Sequence, residues 1–286
     1  MLSGVARAEK TIQVVTSFSI LEDMVKSIGA DRVNVTTLVG PDGDAHAYEP
    51  TPAAAKSVSE ADLVVVNGLG LEGWMDRLIK ASGYKGTVVV ASTGVKPRTM
   101  KDEDKGGRIM TDPHAWQDLD NGVIYVKNIA GALALADPAG AAAYKGLADA
   151  YTAKLADLNT WAKSEFSSIP EQKRRMITSH DAFGYFGGAY GIKILSPMGL
   201  STESEPSAGG IKTLIRQIRK EKITAVFVEN ISDPRMVEQI ARESKVSVGG
   251  ELYSDALSKP DGPAPTYVDM FKNNVTQIVA AMKKGI

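Results

Sequence analysis

Histidine is scarce in this chain: the three copies are His46, His114 and His180. His114 has the most telling context, Thr111-Asp112-Pro113-His114-Ala115-Trp116. Pro113 holds its own φ near roughly −65° and biases Asp112 away from helix, so the histidine after it is aimed. Trp116 is placed to pack beneath the ring and limit its rotamers. Alone, such a histidine reads as a helix opener, because imidazole also caps, packs and hydrogen-bonds. The positions of the other two change that reading. His46 lies in the loop after a strand, His180 at the tip of another, and Asp255 just past a third. In open parallel sheets, ligands bind outside the carboxyl ends of the strands. Three histidines and a carboxylate at that edge point to a shared metal site. Neutral imidazole suits zinc and other late divalent ions, and one carboxylate completes a tetrahedral or distorted set. Four protein ligands leave no open position for an activated water, which marks binding rather than catalysis. The chain has no HExxH, no GxSxG and no GxxxxGK[ST] motif.

The elements that must carry these residues follow from hydrophobic periodicity. In the first half, strands are expected at Thr11–Phe18, Val33–Val39, Asp62–Asn67 and Thr87–Ala91. Helices are expected at Ile20–Ile28, with Ser19 and Glu22 as a capping box, after Thr51-Pro52, at Trp74–Ala81 and at Asn121–Leu135. Lys96–Arg108 is polar, mixed in charge and glycine-ended, and reads as a mobile loop. The second half alternates likewise, with strands at Arg175–Ser179, Ile192–Leu195, Ala225–Val228 and Val246–Leu252. Its helices are Ala182–Tyr190, Ser207–Lys220, Pro234–Ser244 and Pro265–Lys284. Between the halves, Tyr144, Leu147, Tyr151, Leu155, Leu158 and Trp161 recur at helical steps. That helix, 138–168, would be about 45 Å long at roughly 1.5 Å per residue. The expected fold is α/β: two parallel-sheet lobes, 9–137 and 169–286, bridged by one long helix.

Composition narrows the function. Lysine plus arginine number 33 against 34 aspartates plus glutamates, a net charge of −1 that argues against nucleic acid and polybasic membrane contacts. No apolar run is long enough for a membrane helix. Without cysteine there are no disulfides, thiolate metal sites or cysteine nucleophiles. Ala6-Arg7-Ala8 has the small-x-small form of a signal-peptidase site, so an exported, periplasmic protein is expected.

The segments HAYEPTP, DPHAW, SHDAFGYFGGAYG, LSPMGLSTESEPSAG, VFVENISDPRMVEQIARE and GGELYSDALS resemble the zinc- and manganese-binding solute-binding proteins of ABC importers, the cluster A-I family. The last three look most like its AztC-type zinc-binding subgroup. The resemblance implies that the bridging helix is rigid and that the metal lies between the lobes. The family's ligands carry over onto His46, His114, His180 and Asp255. Manganese-type relatives often have Glu where this chain has His180, so Zn2+ is the expected ion and Mn2+ the alternative. Many zinc-type members have a histidine-rich loop before DPHAW. Here it is KPRTMKDEDKGGR, so zinc scavenging by that loop is not expected. Asp102, Glu103 and Asp104 read as a solvated charge run rather than a weak metal site.

Around the ligands, Glu203, Glu205, Glu229 and Asp112 are candidates to hold histidine N–H groups. Trp74, Trp116 and Trp161 read as packing residues. The expected role is capture of a divalent metal and its delivery to an ABC permease of the inner membrane by a monomer, with loading by a metallochaperone left open. Two other classes compete: a metallohydrolase with an open coordination position, and a bridged-helix receptor for a larger ligand. The low aromatic content, 6%, speaks against the last.

Overall fold

A computed structural model describes residues 11–102, 108–203 and 207–284. The sequence features at Ala6–Ala8, Glu103, Asp104 and Glu205 lie outside the described residues. Two parallel sheets organise the fold. The first comprises β1 (Ile12–Phe18), β2 (Val33–Val39), β3 (Leu63–Val66) and β4 (Thr87–Val90), in the order β2-β1-β3-β4. Strands β5 (Thr99–Asp102) and β6 (Arg108–Thr111) form an antiparallel pair. The second sheet comprises β7 (Arg175–Ile177), β8 (Lys193–Leu195), β9 (Ala225–Glu229) and β10 (Val248–Leu252), in the order β8-β7-β9-β10. Second, first, third, fourth is the spatial order in both. Each sheet therefore has its switch point beside its first strand, where ligands gather in open α/β sheets.

The β5–β6 pair corrects the mobile-loop reading of Lys96–Arg108. Thr99 pairs with Thr111 and Met100 with Met110. The β-favouring residues were masked by the polar stretch between them.

Helix α1 (Ser19–Gly29) also departs from expectation. Phe18 stands at its N-cap without a side-chain cap. Ser19 Oγ instead accepts the Leu257 backbone N–H at 2.9 Å. Helix α2 (Pro52–Ser59) is capped as expected, with Thr51 Oγ1 accepting from Ala54 N–H at 3.2 Å. Helix α3 spans Met75–Ser82 and α4 Leu119–Ala136, the latter capped by Asp118.

The long helix, α5 (Ala141–Ser167), has 27 residues and follows a single 3-10 turn at Pro138–Gly140. It extends about 40 Å at roughly 1.5 Å per residue. Its buried face is Tyr144, Ala148, Tyr151, Leu155, Leu158, Asn159, Ala162 and Phe166. Leu147 is 37% exposed and Trp161 only half-buried, so the stripe runs one position off the expected one there. The small Ala148 and Ala162 let the helix approach its neighbours closely.

Helices α6 (Gly184–Tyr190), α7 (Ala208–Glu221), α8 (Arg235–Ser244) and α9 (Tyr267–Lys283) complete the second half. One hydrophobic cluster includes Val14 and Val64 of the first sheet, Leu155 of α5, Phe227 of the second sheet and Met270 of α9. A smaller one lies under α7 and α8. The two halves thus share a continuous core.

Candidate metal centre

His46, His114, His180 and Asp255 converge, with one ligand atom from each within 4.8 Å of all the others. Asp255 Oδ2 lies 3.2 Å from His46 Nε2, 3.2 Å from His180 Nε2 and 3.7 Å from His114 Nε2. His46 Nε2 and His114 Nε2 are 3.2 Å apart. His114, His180 and Asp255 are fully buried.

Each residue is aimed by its surroundings. Asn67, just past β3, donates from Nδ2 to Pro113 O at 2.9 Å, and its Oδ1 accepts from Tyr125 OH at 2.5 Å. This fixes the turn carrying His114. Asp112 Oδ1 accepts the His114 backbone N–H at 3.0 Å and lies 2.9 Å from His114 Nδ1. With Nδ1–H directed at a carboxylate, the Nε2 lone pair faces the cluster. Trp116 packs against the imidazole at a centroid distance of 5.4 Å, as its spacing suggested. Its Nε1 and Gln117 Nε2 both donate to Ser254 O, at 2.9 and 2.7 Å. The stretch that carries His114 therefore also fixes the backbone next to Asp255.

His180 is held by Glu229 at the end of β9. Glu229 Oε1 accepts the His180 backbone N–H at 2.9 Å, and Oε2 lies 2.7 Å from Nδ1. Asp112 and Glu229 are thus the two acidic candidates found behind imidazoles. Glu203 instead lies exposed beside Ser201. His46 is set by Asp44, whose Oδ1 accepts its backbone N–H at 2.8 Å, and by Trp74 Nε1, which donates to Ala45 O at 2.9 Å.

Further residues escaped the sequence reading. Tyr185 OH accepts the Arg98 backbone N–H at 2.9 Å and donates to Asp112 O at 3.2 Å. The Arg98 guanidinium lies 5.6 Å from the Tyr185 ring centroid and 3.5 Å from Asp112 Oδ2. Gly184 permits this approach: a Cβ there would sit 2.7 Å from Asp112 Oδ2. Long-range pairings of this kind leave no local signal. Asp44, by contrast, was detectable as an Asx-turn residue two before His46.

The electrostatics suit a cation. Burial alone would push the His114 imidazole down, but the carboxylates of Asp255 and Asp112 outweigh it and raise its pKa to about 9. His180 is likewise raised well above its ordinary value, with Glu229 and Asp255 overcoming burial. Burial would raise Asp255, yet His114 and His180 hold it well below the usual carboxylate range. Asp255 Oδ1 is buried without a hydrogen-bond partner, an expensive arrangement unless a cation takes it up.

Comparison with known proteins bears directly on this site. The family model for zinc-uptake complex component A, periplasmic (ZnuA), matches residues 14–281. The chain belongs to this family. Members of the ZnuA family are metal-binding, substrate-binding proteins of ABC transporters, not enzymes, so the metallohydrolase alternative is set aside. The manganese ABC transporter substrate-binding lipoprotein PsaA of Streptococcus pneumoniae is 34% identical over 279 residues, covering 96% of this chain and 89% of that protein. The Mn-bound periplasmic metal binding protein of Candidatus Liberibacter asiaticus has a TM-score of 0.84 at 34% identity, covering 95% of this chain and 100% of that one. The periplasmic zinc binding protein TroA of Treponema pallidum has a TM-score of 0.89 at 31% identity, covering 95% and 99%. The two-sheet α/β fold with its long helix is that of these structures, and the ZnuA family implies a divalent metal as cargo and a permease as partner.

Proposed function

We propose that this ZnuA-family protein captures one zinc ion through His46, His114, His180 and Asp255 and hands it to an inner-membrane ABC permease. The ion would lie between a lobe spanning 9–137 and one spanning 169–286, linked by the helix within 138–168. The observation that carries this reading is the convergence of three imidazole Nε2 atoms on Asp255 Oδ2, at 3.2, 3.2 and 3.7 Å. A tetrahedron with zinc–nitrogen bonds of roughly 2.0–2.1 Å has donors about 3.3–3.4 Å apart, close to these spacings. Zinc also accepts four-coordination without electronic penalty and outcompetes manganese for nitrogen donors. The proposed setting is the periplasm, and the proposed working form a monomer. The segments from Leu195 to Gly209, Val226 to Glu243 and Gly249 to Ser258 support membership of the AztC-type subgroup.

Manganese is the second reading, favoured by one specific observation. Asp255 Oδ1 is buried and unpartnered, so the carboxylate can chelate, and manganese prefers more oxygens and higher coordination. Similar proteins bear manganese in their names. Apo-protein equilibrated with equal limiting amounts of both ions, desalted and assayed for metal, discriminates the two. Mainly zinc is expected, and replacing His180 by Glu should move the balance towards manganese. Native protein recovered mainly with manganese would overturn the choice of ion.

A further inference from the structure

Of the four converging side chains, His46 alone keeps contact with solvent. Its side chain is 6% exposed, whereas those of His114, His180 and Asp255 are at 0%. The mouth of the site therefore lies beside His46. Asp44 stands at that mouth. Its Oδ1 accepts the backbone N–H of His46 at 2.8 Å and that of Ala47 at 3.4 Å. Such an Asx turn fixes where the imidazole leaves the chain. The other oxygen, Oδ2, accepts the Thr202 hydroxyl at 2.6 Å.

Thr202 comes from the other half of the molecule, on the segment between β8 and α7. That segment is itself pinned over the end of β7. The Asp181 N–H donates to Gly199 O at 3.0 Å and the Met198 N–H to Ser179 O at 3.4 Å. It forms a strap from the flanks of His180 to the turn that carries His46. Among the described residues, the Thr202 hydroxyl provides the strap's one hydrogen bond to the first half. A cavity of about 480 Å³ opens at the same place, with Asp44, Met198, Thr202 and Met236 in its wall. The remaining cross-connections near the site lie on its buried side, where Trp116 and Gln117 hold Ser254 and Ser19 holds Leu257.

We propose that the Thr202–Asp44 hydrogen bond is a latch that keeps His46 in place and sets how fast bound metal leaves. The inference rests on the reading of the four residues as a metal centre. Thr202 is a positioning residue acting through Asp44. A hydroxyl donating to a carboxylate makes a charge-assisted bond, stronger than its neutral counterpart. Without it the Asx turn loses its brace from the other half, and the most exposed ligand is the first to swing away. The buried connections persist, so loss of the latch acts on metal departure and spares the fold.

The test compares Thr202→Val, nearly isosteric but without a hydroxyl, with Thr202→Ser, which restores it. Zinc-loaded proteins are mixed with excess fluorescent chelator in a stopped-flow instrument, with metal content and apo melting temperature measured alongside. The latch predicts one zinc per chain in each, dissociation about tenfold faster for Thr202→Val, near-native dissociation for Thr202→Ser, and similar apo melting temperatures. Native dissociation from Thr202→Val with full zinc content would overturn the latch. Equal acceleration in both variants would also overturn it, since the methyl rather than the hydroxyl would then matter. Native protein that retains no zinc would instead bring down the metal-centre reading and the latch with it.

Discussion

Metal has to displace a proton from this site, and the structure indicates how strongly. The pKa of His114 is raised to about 9 because Asp255 and Asp112 outweigh its burial. At pH 7 that imidazole is protonated in the metal-free protein. Freeing Nε2 then costs roughly 2.7 kcal/mol, at about 1.36 kcal/mol per pH unit over two units. Apparent metal affinity at pH 7 should thus lie about a hundredfold below its high-pH limit and climb roughly tenfold per unit towards pH 9. This places the pH window above the 5-to-7 range that an unperturbed imidazole would give. Stability of the metal-free form runs the other way. A raised folded-state pKa contributes stability that is full below about 6.5 and is lost as pH rises through about 9, here roughly 3 kcal/mol. Asp255 has the opposite sign: its lowered pKa contributes stability that is lost on acidification below the ordinary carboxylate value. The melting temperature of metal-free protein should therefore fall between pH 6.5 and 9 while the increment from bound metal grows. Calorimetric titration in buffers of different ionisation enthalpy counts the released protons directly. At least one proton per ion is expected at pH 7.5. No proton release there, together with flat affinity from pH 7 to 9, would refute the reasoning.

Asp112→Asn should weaken metal binding by about tenfold to a hundredfold and shift the affinity-against-pH curve downwards, because it removes a carboxylate that raises His114; a competition titration across pH reads both. Gly184→Ala should also weaken binding, since its Cβ would sit 2.7 Å from Asp112 Oδ2 and 2.9 Å from Arg98 Nη2; native affinity would mean that Arg98 yields without consequence for Asp112. Scattering with and without metal should show only a small change in radius of gyration, because bending α5 would break backbone hydrogen bonds and the halves share a core; a large contraction on metal binding would contradict this.

Periodicity carried the strand–helix alternation into view, and the strand ends carried the ligand positions. His46, His114, His180 and Asp255 come together from loops 209 positions apart at most, yet each was legible because a parallel sheet delivers all its loops to one edge. What stayed hidden depended on partners distant in sequence. Ser19 resembles a helix cap, but its hydroxyl meets Leu257. Asn67 follows an apolar strand and looks like part of a turn, whereas it holds Pro113. The β5–β6 pair is short and polar in composition, so the alternation of its threonines and methionines was lost in the surrounding charges. On α5, Leu147 and Trp161 were favoured for the buried face because they are large. Packing chose Ala148 and Ala162, since close approach of neighbouring helices needs small side chains there.

The central claim is that these four side chains bind one ion together. Equilibrium titration of metal-free native protein and of the His46, His114, His180 and Asp255 alanine variants with zinc, at pH 8, tests it most directly. The account predicts one ion per native chain, and strongly weakened binding in every variant with the fold retained by circular dichroism. Native affinity in any one variant would remove that residue from the ligand set, and native affinity in two or more would contradict the account.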